Sequence, residues 1–201
     1  YNISLACELA DSGVDEVQFD YIRFPTVGDQ NDAAYTWSGG RADRTMAVAS
    51  FLKNAHQRLR SINCFLSIDI FGVVAWGKYV DIEKTGQKID LLAANCDVIS
   101  PMLYPSHFND EFDGFAKPGD HPHHFIMNGC LKVRELAGKS KVIVRPWLQA
   151  FGWRVSKYNP SYIAEQVRGS VDGGGFGYLF WNASNKYDEV IQGMALVPAG
   201  K

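Results

Sequence analysis

The sequence predicts an α/β protein of the TIM (β/α)8-barrel type, present as its C-terminal five βα units, barrel strands 4 to 8. Three observations carry that expectation. Short, largely apolar strand-like runs alternate with helical patterns along the chain, which means parallel pairing through βα units. Polar residues cluster after each run rather than before it, and both barrels and doubly wound sheets bind ligands at the C-terminal ends of their strands. No Gly-rich phosphate loop follows the first strand, which disfavours a nucleotide-binding sheet and leaves the barrel. Five units are three short of a closed barrel, and the chain opens on Tyr1 without a Met, so three units are expected before Tyr1. Residues 1–201 are expected to form a single, partial barrel domain.

Composition agrees. A chain of 201 residues can bury one sizeable core. Hydrophobic and charged fractions of 46% and 21% are ordinary for a globular protein. A net charge of −2 carries no signature of nucleic-acid binding. No apolar run reaches the ~18 residues a transmembrane helix needs. Cys7, Cys64, Cys96 and Cys130 lie far apart without CxxC pairing, so they read as small buried hydrophobes rather than zinc ligands. Five Trp and nine Tyr supply either core or sugar-facing surface.

Residues 3–12 read as a helix with Leu5, Leu9 and Val14 on one side and Gly13 at its C-terminal cap. In the strand that follows, Val17, Phe19 and Tyr21 alternate with Glu16, Gln18 and Asp20, and Pro25 then ends the ladder. Thr26 to Arg41 is a long polar, Gly-rich loop of the kind that carries function. A helix is predicted from Asp43 to Ser61, with Met46, Phe51 and Leu59 among its apolar positions. A buried strand over 64–72 reaches an acid, Asp69, near its end. After a further loop come a short helix over 86–94, a strand over 97–104, a helix over 125–137 and a strand over 141–149. The helix over 161–170 is capped near Asn159 with Pro160 at its first position. A strand over 175–182 and a helix over 187–195 complete the pattern.

Five of these motifs, in order, are similar to those of one known family. They are Asp15-Glu16-Val17-Gln18-Phe19-Asp20-Tyr21-Ile22-Arg23-Phe24-Pro25, Ser67-Ile68-Asp69-Ile70-Phe71-Gly72, Gly86-Gln87, Ile99-Ser100-Pro101-Met102-Leu103-Tyr104-Pro105-Ser106-His107 and Arg145-Pro146-Trp147-Leu148-Gln149. Across most of its length the chain resembles a glycoside hydrolase domain family once classed as a domain of unknown function. That family belongs to the glycosidase TIM-barrel group related to α-amylase-like barrels. The resemblance implies that the chain starts near the fourth barrel strand and that its substrate is a carbohydrate.

Glycoside hydrolysis usually needs two carboxyl groups flanking the scissile bond, one as nucleophile or base and one as general acid. Asp20 and Asp69 end strands that read as adjacent. Neighbouring strands lie about 4.8 Å apart, which fits the roughly 5–5.5 Å separation of a retaining enzyme. By position, the resemblance implies Asp20 as nucleophile and Asp69 as acid, although amylase-like barrels use Glu for the acid. The plainer readings are an ion pair of Asp20 with Arg23 or Arg145, and a buried Asp69 satisfied by backbone or by Arg145. Arg23 and Arg145 either hold a carboxylate ionised at the site or form barrel-rim salt bridges. Tyr104 and His107 can hydrogen-bond sugar hydroxyls, and His107 can assist proton transfer, or both are structural. Gln149, Trp181 and Asn182 close the ring, Trp181 as a stacking platform. Gln18 either lines the site with Asp20 or fills a polar layer inside the barrel.

The candidate catalytic residues are therefore Asp20 and Asp69. The candidate substrate-binding residues are Gln18, Arg23, Tyr104, His107, Arg145, Gln149, Trp181 and Asn182. No metal or other cofactor is expected. His121-Pro122-His123-His124 lacks the i, i+4 spacing of zincins and reads as a solvated loop. The metal-dependent rival, a polysaccharide deacetylase, wants an Asp-Asp pair with two spaced histidines, which are not found. The expected partner is a poly- or oligosaccharide, and the resemblance favours an extracellular or cell-envelope setting. The alternative function is a non-catalytic carbohydrate-binding barrel that keeps the cleft and lacks a working acid.

Overall fold

The computed structural model describes residues 1–29 and 44–197. Residues 30–41 of the predicted loop, and the predicted helix start at Asp43, lie outside the described residues. Among the described residues six strands form one parallel sheet: β1 (Glu16–Phe19), β2 (Phe65–Phe71), β3 (Val98–Met102), β4 (Ile143–Val144), β5 (Trp147–Gln149) and β6 (Leu179–Trp181). The order is β1-β2-β3-β5-β6, with β4 also paired to β3. This runs in chain order without the reversal that marks a doubly wound sheet, so the architecture is a partial (β/α)8 barrel. Helices α1 (Asn2–Asp11), α2 (Arg44–Arg60), α3 (Tyr79–Thr85), α4 (Ile89–Ala93), α5 (Pro122–Ala137), α6 (Pro160–Asp172) and α7 (Asp188–Met194) flank it.

The period of two in the strands divides the molecule. Leu66, Ile68 and Ile70 of β2 are fully buried and join Leu52, Ala55 and Leu59 of α2 and Phe125, Ile126 and Cys130 of α5 in one core. Ser67 and Asp69, between them, face the other way, toward the barrel interior. There Arg145, beside β4, reaches Glu16 on β1. In a flat sheet those strands would stand about 14 Å apart, so the contact requires a curled sheet.

Several boundaries differ from the sequence reading. The predicted strand over 141–149 is two strands, because Pro146 has no N–H to continue the ladder. The stretch read as a loop before residue 86 holds a 3-10 turn, Gly72–Trp76, and α3. Gly86, at φ 75°, caps α3 in the left-handed region instead of opening a helix. On α1, Leu5 and Leu9 are 44% and 46% exposed and Val14 is exposed too, while the packed side is Ile3, Ala6, Cys7 and Ala10. Met46 is likewise exposed, and α2 buries Val48, Ala49, Leu52, Ala55 and Leu59.

The four His121–His124 positions are not a solvated loop: Pro122, His123 and His124 form the first turn of α5. His123 Nε2 meets Asp172 at 2.7 Å and His124 Nε2 meets Asp113 at 2.8 Å. The cap of α6 is as expected, with Asn159 Oδ1 accepting from the Tyr162 N–H at 3.1 Å. All four cysteines are free, with Cys64, Cys96 and Cys130 buried and Cys7 half-buried. Among the described residues no helix is long and apolar enough to cross a membrane, and no His, Cys, Asp or Glu cluster has metal-binding geometry.

Candidate active site

The β1–β2 register pairs Gln18 with Ser67 and Phe19 with Ile68, so the next pair beyond the ladder is Asp20 beside Asp69. Both line a cleft of about 460 Å3 at the C-terminal ends of the strands, with Tyr21, Phe71, Met102, Tyr104, His107, Trp147 and Trp181 around them. Asp20 is exposed, and its Oδ1 accepts the Tyr21 N–H at 2.6 Å. Tyr21 has a φ of 56°, which turns the chain away from the strand just past the carboxylate.

Asp69 is only 5% exposed. Its Oδ1 accepts the Trp147 indole N–H at 2.8 Å. Burial pushes its carboxyl up to about 7; the Trp147 hydrogen bond and the Arg145 charge pull the other way, and the Asp20 charge adds to the rise. Such a group carries a proton in an appreciable share of molecules near neutrality.

One step below, the acids are organised differently. The two terminal guanidinium nitrogens of Arg145 engage the two carboxylate oxygens of Glu16, Nη1 at 3.2 Å from Oε2 and Nη2 closer still to Oε1. Burial raises the Glu16 carboxyl, but hydrogen bonds from Arg145 and Ser67 together with the Arg145 charge outweigh that and hold it below its ordinary value. Gln18 belongs to this layer too, its amide donating to Ser100 Oγ at 3.1 Å. Arg145 is thus held by Glu16, and neither plainer reading of it as a partner of Asp20 or Asp69 describes its contacts. Arg23 pairs with neither acid; it stacks over Phe71 at 4.1 Å and donates to the Phe24 carbonyl at 3.3 Å.

The remaining predicted residues fall into two groups. Tyr104, His107 and Trp181 line the cleft. Burial and the nearby Asp69 and Asp20 charges raise the Tyr104 phenol, so it stays a donor. Burial and the Arg154 charge lower the His107 imidazolium, which favours the neutral ring. That ring packs edge-on against Tyr104, Phe151 and Trp153. Gln149, by contrast, is fully buried: its Oε1 accepts the Ser106 N–H at 3.1 Å and its Nε2 donates to the Phe151 carbonyl at 2.7 Å. It fixes the two loops that carry His107 and Trp153 and does not reach the cleft. Asn182 tethers the Ala150 carbonyl and accepts the Ser184 N–H at 2.7 Å.

Asn182 lines a second cleft of about 570 Å3 that shares His107 and Trp181 with the first. Its further walls include Phe151, Trp153, Tyr158, Lys186 and Glu189. Trp147 and Trp153 line these clefts without being among the residues expected from the sequence. Alternation from Arg145 and Gln149 places Trp147 on the interior face, so its signal was present. Trp153 lies in a loop with no periodic pattern to place it.

The fold has known counterparts. A family model described as "Putative glycosyl hydrolase domain" matches residues 1–187. No curated protein matches the chain. Among solved structures, the PgaB (BpsB) glycoside hydrolase domain from Bordetella bronchiseptica superposes with a TM-score of 0.64 at 15% identity, covering 98% of this chain and 61% of that one. The spore cortex-lytic enzyme SleL of Bacillus megaterium QM B1551 gives 0.62 at 11% identity, with 96% and 51% covered. SleL of Bacillus cereus gives 0.58 at 11% identity, with 95% and 51% covered. At such identities the likeness is one of fold. The chain spans about three fifths of the first structure and about half of the other two.

Proposed function

We propose, from the premise that this chain belongs to the family described as a putative glycosyl hydrolase domain, that it hydrolyses glycosidic bonds of a poly- or oligosaccharide through Asp20 and Asp69. Residues 1–201 act in this reading as one partial barrel domain. The observation that carries it is the pairing of two unlike carboxyl groups at one cleft. Asp69, buried and pushed up to about 7, holds a proton for the glycosidic oxygen. Asp20, exposed and without an arginine contact among the described residues, serves as nucleophile on the anomeric carbon. Register neighbours at about 4.8 Å favour the retaining geometry over the inverting one, which needs roughly 6.5–9.5 Å.

The walls suit a sugar. Trp181 is exposed and stands edge-to-face to Trp147 at 6.3 Å, leaving an indole face for a pyranose ring. The second cleft beyond Trp181 supports a substrate of more than one residue. Relatives named as spore cortex-lytic enzymes support an extracellular or cell-envelope glycan. The engagement of Arg145 by Glu16, which leaves Asp69 facing the cleft, supports hydrolysis over a binding-only barrel.

The test is a screen of the full chain against polysaccharides by release of reducing ends, with Asp20→Asn and Asp69→Asn alongside. Each substitution is expected to lower the rate about 10²–10⁴-fold. NMR of the first-formed anomer reads retention directly. Hydrolysis that survives Asp20→Asn unchanged overturns the nucleophile assignment.

A further inference from the structure

The contact between Trp147 and Asp69 decides more than the acid's strength. An indole N–H can donate a hydrogen bond and cannot accept one. Trp147 Nε1 lies 2.8 Å from Asp69 Oδ1, so Oδ1 must present a lone pair to it in both protonation states. A carbonyl-type oxygen is the better acceptor of a carboxylic acid's two. Among the described residues no protein donor engages Oδ2, and Asp69 lines the open cleft. Trp147 is itself held edge-to-face by Trp181 and lies in β5, paired to β3 and β6, so the donor is set by the sheet and not by a loop.

We propose that Trp147 is a positioning residue for Asp69: its N–H claims Oδ1 and leaves Oδ2 to carry the transferable proton. This deepens, and rests on, the reading of Asp69 as general acid. On transfer, the Oδ2–H bond breaks and the proton passes to the glycosidic oxygen. The electron pair of the broken anomeric C–O bond stays with that oxygen, while an Asp20 oxygen bonds to the anomeric carbon. Asp69 is left as a carboxylate whose Oδ1 already accepts the indole hydrogen bond, so no reorganisation is needed at that atom. The charged or titratable groups facing Asp69 are Asp20 after β1, Tyr104 after β3 and Arg145 before β5.

The test titrates Asp69 by carbon NMR of its side-chain carboxyl, with the signal assigned by its loss in Asp69→Asn. Three forms are compared: the unsubstituted chain, Trp147→Phe, and Trp147 replaced by benzothienylalanine, which keeps the indole shape and has no N–H. Removing the donor destabilises the carboxylate, so both replacements are expected to raise the midpoint by about one pH unit. Asp20→Asn removes a like charge and is expected to lower it. A midpoint unmoved or lowered by benzothienylalanine overturns the proposal, since packing alone would leave it in place. The titration needs no glycan, so a failed polysaccharide screen and a failed positioning role are read separately.

Discussion

Glu16 and Asp20 lie on one strand face, separated only by Gln18, yet the layers they belong to are opposites. In the lower layer Glu16 is matched by both terminal guanidinium nitrogens of Arg145. In the upper layer Asp20 and Asp69 share a cleft with no cation in hydrogen-bond contact with either among the described residues, and Trp147 is the one side chain donating to Asp69. Burial raises both the Glu16 and the Asp69 carboxyl. The counter-ion reverses that rise in the lower layer, and its absence lets the rise stand in the upper one. The barrel thus matches one acid with a cation and leaves the carboxyl of Asp69 raised, the kind of shift that general acids use.

Three measurements can break or sharpen that contrast. The largest effect concerns stability against pH. The folded-state value of Asp69, about 7, is raised from its ordinary 3.8. Its contribution to stability is therefore full below about pH 4 and lost as pH rises through about 7. Asp69→Asn is expected to gain on the unsubstituted protein between about pH 4 and pH 7 in urea unfolding, by up to about 3–4 kcal/mol. Glu16, held below its ordinary 4.5, has the opposite sign: its contribution is present above that value and lost in acid. Glu16→Gln is therefore expected to be less stable at neutral pH and to converge with the parent as pH falls. Two variants that drift the same way with pH would erase the distinction between the layers.

Next in size is Arg145→Met, which leaves Glu16 unpaired in the interior. A loss of about 1–3 kcal/mol is expected, less than for a fully buried pair because the two side chains remain 24% and 29% exposed. The hydrolysis rate per folded molecule should fall far less than in Asp69→Asn. Equal falls in rate would move Arg145 into the reacting layer.

The smallest effect marks how far the upper layer extends. Trp153 is exposed on the second cleft, with Arg154 stacked 5.4 Å from its ring. Trp153→Ala is expected to lower kcat/KM on long oligosaccharides by about 2–10-fold and to leave the shortest cleaved substrate unaffected. A loss independent of chain length would confine the substrate to the first cleft.

Much of this was legible in the residues. Period-two alternation placed Asp20 and Asp69 at strand ends, and the rhythm of strands and helices gave the partial barrel. Asn159-Pro160 marked the start of α6 because a cap is a local contact. Other features were not legible. Leu5 and Leu9 look like a packing stripe, yet α1 packs through Ile3, Ala6, Cys7 and Ala10. Gln149 looks like a site residue, yet it ties Ser106 to Phe151 in the interior.

The sequence by itself determined which carboxyl groups reach the C-terminal ends of the strands, because side-chain direction along a strand is a local, two-residue property. Only the tertiary structure decided which interior carboxyl group receives a cation. Arg145 lies 129 residues from Glu16 and Trp147 lies 78 residues from Asp69 along the chain. Those pairings come from the curl of the sheet, which brings β1 and the β4–β5 junction across one interior. No spacing in the sequence encodes that distance, and it separates the carboxyl group paired with Arg145 from the one that meets only the Trp147 indole among the described side chains.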